Sequence, residues 1–214
     1  MINMREQKNY LALELKRHIP FTLFGALTGI IIMIILFYGN LIPKIYPISE
    51  NIFYILHPTH IFFSAIVTTS IFLKYNENNF ILAVIIGYTG SIGIATISDS
   101  IIPFLGEIFL DLPNTEIHLG FIEKPLLTNI PAFIGIILGN YKGFTKFPHS
   151  GHVLISTWAS LFHIIMAIGL FISTIQFILI FIFLFFAVWI PCCASDIIFP
   201  LIFRDKSNLI DSNR

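Results

Sequence analysis

Six long apolar runs leave this chain few folds to adopt. They cover roughly 21–40, 52–73, 80–102, 119–139, 152–173 and 177–203, and the last contains FILIFIFLFFAVWI without one polar side chain. At 1.5 Å of rise per residue, about 20 residues of helix cross the ~30 Å hydrocarbon core, so most of the runs are long enough. Hydrocarbon offers the backbone no water, so each run must bond to itself as a helix. Composition agrees: 56% of the 214 residues are hydrophobic and 11% charged, with a mean hydropathy of +0.87. The expected class is an all-α integral membrane protein of the cell (plasma or inner) membrane, multi-pass, with six transmembrane helices.

The fourth run decides the topology. Its clean core, Leu126 to Gly139, is short and carries Asn129 and Pro131. If it crosses, both chain ends face the cytoplasm and ten basic residues lie inside: Arg5, Lys8, Lys16, Arg17, Lys74, Lys142, Lys146, Arg204, Lys206 and Arg214. Only Lys44 and Lys124 then lie outside, which satisfies the positive-inside rule. Without that crossing the balance becomes five inside and seven outside. Six spans, N-in and C-in, therefore fit best. The expected parts are a cytoplasmic N-terminal segment 1–20, a membrane domain 21–203 and a cytoplasmic tail 204–214. The first twenty residues are charged and polar and lack a cleavage pattern, so no removable signal is expected. Residues 103–118 alternate apolar and acidic side chains, as in a surface helix or a re-entrant loop.

The chain also repeats itself. His57, His60 and Ser64 in HPTHIFFS share their spacing with His149, His152 and Ser156 in HSGHVLIS. Downstream, Asp99 and Pro103 in SDSIIP match Asp196 and Pro200 in SDIIFP. Ionisable residues are costly inside apolar segments, so the same set found twice points to a duplicated functional unit. Repeat 1 covers about 21–106 and repeat 2 about 119–203. Three spans is an odd number, so the second copy enters the membrane reversed. The expectation is a 3+3 inverted-topology repeat, a plan recurrent among secondary transporters.

At 100° per residue, His57, His60, Ser64 and Thr68 form one polar stripe. His149, His152, Ser156 and Ser160 form its counterpart, which His163 extends. Such stripes face protein or a water-filled path rather than lipid. On this topology His57, His60 and Asp99 gather toward the outer face, and His149, His152 and Asp196 toward the cytoplasmic face. Imidazole and carboxylate donors together suit Zn, Fe, Mn, Ni or Co, whereas Mg and Ca prefer oxygen alone. Cys192, Cys193, His118, Glu123 and His163 are possible additional ligands. The adjacent cysteines cannot readily bridge each other in a helix, so no disulfide framework is expected. Gly87, Gly90 and Gly93, with Ser91 and Ala95, give the third helix a small-residue face. Trp158 and Trp189 lie within helices and read as packing.

These layers point to a transporter or permease of a small cation, a divalent transition metal, passed between the paired His/Asp sites along Ser64, Thr68, Ser156 and Ser160. Its partners are then the lipid bilayer and the cation. Equal numbers of basic and acidic residues give no reason to expect nucleic acid, and homo-oligomers are compatible with this plan. The rival is a membrane-embedded metal-dependent hydrolase or oxidoreductase, in which the metal activates water or oxygen. FPHSGH resembles the PSGH element of membrane lipid phosphatases, but His149 interrupts it and no Arg-rich phosphate-binding element follows. A haem carrier using His60 and His163, or an accessory subunit, completes the alternatives.

Overall fold

The computed structural model describes residues 4–75, 79–141, 146–169, 172–193 and 199–203, and all the regular structure among them is helical. Three helices make up the first half: α1 (Met4–Tyr38), α2 (Ile42–Tyr75), and α3 (Phe80–Thr96) running through a π turn (Ile97–Ile101) into α4 (Ile102–Phe109). The second half holds α5 (Gly120–Glu123), α6 (Pro125–Gly139), α7 (Lys146–Ala167), α8 (Thr174–Cys193) and α9 (Phe199–Ile202). Ile19–Tyr38, Ile42–Lys74, Phe80–Phe109 and Thr174–Cys192 are long and apolar enough to cross a membrane. Pro125–Gly139 and Gly151–Ala167 are apolar but shorter.

Helix boundaries depart from the apolar runs in instructive ways. The segment before Pro20 is not a separate helix, because α1 continues through that proline. α2 starts at Ile42, well before the apolar run, and contains Pro47 and Pro58. The third run continues past Ile102 to Phe109, so 103–109 prolongs the same apolar helix rather than forming a separate surface helix or loop. Two helix ends are set by left-handed residues. Asn40 (φ 53°) and Asp111 (φ 50°) are residue types that tolerate this region, and each follows the last helical turn. There the Leu41 amide bonds back to the Leu36 carbonyl and the Leu112 amide to the Glu107 carbonyl, which caps both helices by the Schellman pattern.

Pro103 explains the π turn. Proline has no amide and its ring crowds the carbonyl four residues back, here that of Asp99. The helix widens at that point, and the Ile102 amide reaches the Ile97 carbonyl five residues away. Such bulges recur at functional sites. This one turns Ser98, Asp99 and Ser100 inward, all buried.

α2 is the hub of the packing. It lies against α3, α6 and α7, while α1 packs on α7 and α8. The α2–α6 contact is close because Gly135 and Gly139 carry no side chain. A Cβ at Gly135 would sit 2.5 Å from the Phe62 carbonyl oxygen, and one at Gly139 would sit 2.7 Å from that of Ile66. Ser70 donates to the Gly139 carbonyl at 2.8 Å across the same seam. The expected small-residue face of α3 is real in part: Gly87 and Gly90 meet Thr69 and Thr68 of α2, but Gly93 has open space beside it. Trp158 bonds through Nε1 to Thr28 at 3.2 Å and ties α7 to α1.

Candidate metal centre

Asp99, fully buried on the π turn, organises the interior. Its Oδ2 accepts from His57 Nδ1 at 2.9 Å and His60 Nδ1 at 2.7 Å, both from α2. Its Oδ1 accepts from Ser98 at 2.6 Å and from Ser156 of α7 at 2.7 Å. Four donors fill the acceptor sites of one ionised carboxylate. An ionised carboxylate only accepts, so both imidazoles hold their proton on Nδ1 and a neutral ring presents its lone pair on Nε2.

Where that lone pair points decides the chemistry. His60 Nε2 lies 3.8 Å from Cys192 Sγ of α8. The His152 ring of α7 stacks on His60 with centroids 5.6 Å apart and planes within 8°. One donor atom from each of His60, His152 and Cys192 lies within 4.8 Å of the others, and all three residues are buried. A tetrahedral ion with bonds of 2.0–2.3 Å places a nitrogen and a sulfur roughly 3.6 Å apart, so the His60–Cys192 separation needs little adjustment. Behind His60 stands Asp99, the carboxylate–imidazole arrangement that orients metal-ligating histidines. Ser156 completes the surround, its hydroxyl 3.7 Å from Cys192 Sγ.

The polar stripes are placed as expected within the protein. His57, His60, Ser64 and Thr68 on α2 are buried, as are His152, Ser156, Ser160 and His163 on α7. What differs is how the stripes meet. Two sets at opposite faces were expected, yet His60 of one set stacks on His152 of the other. The reason is depth along the helix. α2 begins ten residues before its apolar run, which puts His57 and His60 at mid-helix beside α7 instead of near an end. The oxygens of Asp99, expected among the ligands, are here engaged by two imidazoles and two hydroxyls. Asp196 and the side chains of His149 and Cys193 lie outside the described residues.

The other possible ligands join a different cluster. His163 Nδ1 is 2.6 Å from Glu107 Oε1, both buried. The His118 amide donates to His163 Nε2 at 3.4 Å, and His118 Nδ1 lies 3.4 Å from Glu123 Oε2. Glu123 also accepts from the Tyr54 hydroxyl and the Leu119 amide. Phe53 packs among these groups, stacked on His57 and edge-on to His163. His60 and His163 are oriented by different carboxylates, which gives no support to one haem shared between them. Glu107 is not among the expected ligands, because the alternation in 103–118 suits a surface helix or a re-entrant loop. The signal was its place two helical turns beyond Asp99 on the same helix.

No family model, curated protein or solved structure matches the chain. The donor set itself therefore carries the functional reading.

Proposed function

We propose that the protein binds a divalent transition-metal ion between its two halves, at His60, His152 and Cys192, and moves it across the membrane. The observation that carries this reading is the buried two-imidazole, one-thiol set backed by Asp99. Nitrogen and sulfur donors together favour Zn or another borderline-soft ion over Mg or Ca. Buried ionisable groups in a membrane bundle mark ion pathways far more often than scaffolding.

The helix pairings support an inverted repeat. Exchanging α1 with α6, α2 with α7 and α3 with α8 turns the α1–α7 contact into α6–α2, α1–α8 into α6–α3, and α2–α3 into α7–α8, all of which occur. The α2–α7 contact maps onto itself, and it holds the stacked pair His60 and His152, which occupy equivalent places in HPTH and HSGH. A site at the repeat interface, near mid-membrane, is the plan on which alternating access operates. The six-span topology requires α6 to cross as well. At 15 residues it spans about 22 Å, which a locally thinned bilayer accommodates.

The purified chain is expected to hold one Zn or Co per molecule by elemental analysis and to carry that ion into vesicles. Loss of bound metal in His60→Ala and His152→Ala with the helical spectrum intact is the expected result; full retention in both refutes the site. A metal-dependent hydrolase is the second reading, favoured by one observation. Three protein ligands leave a fourth position open beside the Ser156 hydroxyl, as catalytic zinc sites do. Turnover of a lipid or peptide ester by the metal-loaded protein, without ion flux, would select that reading.

A further inference from the structure

We propose that Glu107 and His163 form a second buried cation site, whose cation is a proton exchanged for the metal. The pair is as deeply buried as the metal centre: Glu107 is 1% exposed and His163 likewise. His163 Nδ1 meets Glu107 Oε1 at 2.6 Å, and the His118 amide donates to His163 Nε2. A nitrogen that accepts from an amide carries a lone pair, so this ring is neutral with its proton on Nδ1. The second oxygen of Glu107, Oε2, has no hydrogen-bond partner. An ionised Glu107 beside a neutral ring would enclose one uncompensated negative charge in an apolar interior, an arrangement that strongly attracts a cation. One proton, on Oε2 or on Nε2, neutralises it, and imidazole exchanges protons near neutral pH.

The surroundings leave that role to this pair. α8, which packs on α4, has no Asp, Glu, Lys, Arg or His between Thr174 and Cys193. The π turn contributes Asp99, already holding four donors. α2 contributes His57, bound to Asp99, and Tyr54, bound to Glu123. The 110–119 segment contributes His118, bound to Glu123.

Position gives the pair its use. His152, Ser156, Ser160 and His163 make one seam along α7, and His152 to His163 spans about 16 Å of helix. That is roughly half of a ~30 Å hydrocarbon core. Beyond His163 stand His118 and Glu123, which are 14% and 35% exposed. The seam thus runs from the metal centre to partly exposed groups. It does so on one side only. The register that pairs His57 with His149 pairs His163 with Ile71, and the register that pairs Asp99 with Asp196 pairs Glu107 with Arg204. A proton site in one half only lets a proton gradient drive the metal cycle.

The balance is simple. Metal binding at Cys192 releases the thiol proton, so the loaded site and a protonated Glu107–His163 pair are competing charge states of one interior. One divalent ion therefore replaces two protons, one from the Cys192 thiol and one from the Glu107–His163 pair, and both return when the metal leaves.

Infrared difference spectra of the metal-free full chain against pH read the proton site directly. The wild type is expected to show the C=O stretch of a protonated carboxylic acid that fades as pH rises, absent in Glu107→Gln and shifted in His163→Gln. In vesicles, the pH change per Zn2+ moved, reported by an entrapped dye, should fall about twofold in Glu107→Gln, leaving the Cys192 proton alone, while the bound Zn2+ per chain stays constant. A titrating carboxyl band that persists in Glu107→Gln overturns the site. Should that variant fail to fold, an unshifted band in His163→Gln overturns it equally. The exchange rests on the transport reading; if the wild type shows the band but moves no Zn2+, the proton site stands and the coupling falls.

Discussion

Replacing Asp99 with asparagine isolates what the buried charge contributes to the metal centre. The two side chains have nearly the same volume, so no cavity opens. If the amide carbonyl faces α2, His57 and His60 keep their acceptor, but two charge-assisted hydrogen bonds become neutral ones of about half the strength. If the amide NH2 faces α2, both rings must accept at Nδ1 and shift their proton to Nε2, where His60 no longer offers a lone pair to a metal. Either outcome weakens the ligand. Losing the carboxylate behind a metal-binding histidine lowers affinity about 10–100-fold, or about 1.4–2.7 kcal/mol. Folding should change far less, since a neutral group is cheaper to bury than an ion. Asp99→Ala differs in kind: it strands two imidazoles and two hydroxyls, at about 1–3 kcal/mol each. The assay is Zn2+ competition against a chelating dye in detergent, with thermal unfolding as the control. An Asp99→Asn protein that folds and binds Zn2+ as tightly as wild type would falsify the orienting role of Asp99.

Three further outcomes are expected. Co2+ bound to the wild type should show a near-ultraviolet thiolate-to-metal charge-transfer band, and Cys192→Ser should lose the band while retaining weaker binding; an unchanged spectrum removes Cys192 from the ligand set. Zn2+ at one hundred times its Kd should stabilise the fold by about 2.7 kcal/mol, and a chelator should reverse this. The same rise in His152→Ala would count against the site. Gly135→Ala should destabilise the α2–α6 contact by about 1–3 kcal/mol, because its new Cβ lies 2.5 Å from a backbone oxygen that cannot swing away; an unfolding midpoint equal to wild type would show that the helices part freely.

Many of the polar side chains that meet in this interior were legible in the chain. His57, His60, Asp99, His152, Ser156 and Cys192 were all singled out by spacing within apolar runs, since a polar group there needs a partner. Their grouping was not legible. Depth was inferred from where an apolar run begins, and α2 starts ten residues earlier, which moved His60 to mid-helix beside His152. Glu107 was hidden because acidic residues near a run's end resemble a loop, whereas the helix continues past Pro103 to Phe109.

The sequence by itself determined the class, the helical periodicity of the polar stripes and the duplicated motif, because burying a backbone in hydrocarbon and spacing side chains at 100° are local matters. Only the tertiary structure decided that Asp99 serves two imidazoles and two hydroxyls at once, that Cys192 rather than Asp99 faces the His60 lone pair, and that Glu107 meets His163. Those meetings depend on how helices distant in the chain cross and how a π turn aims one carboxylate, and residue spacing along a single helix holds no record of either.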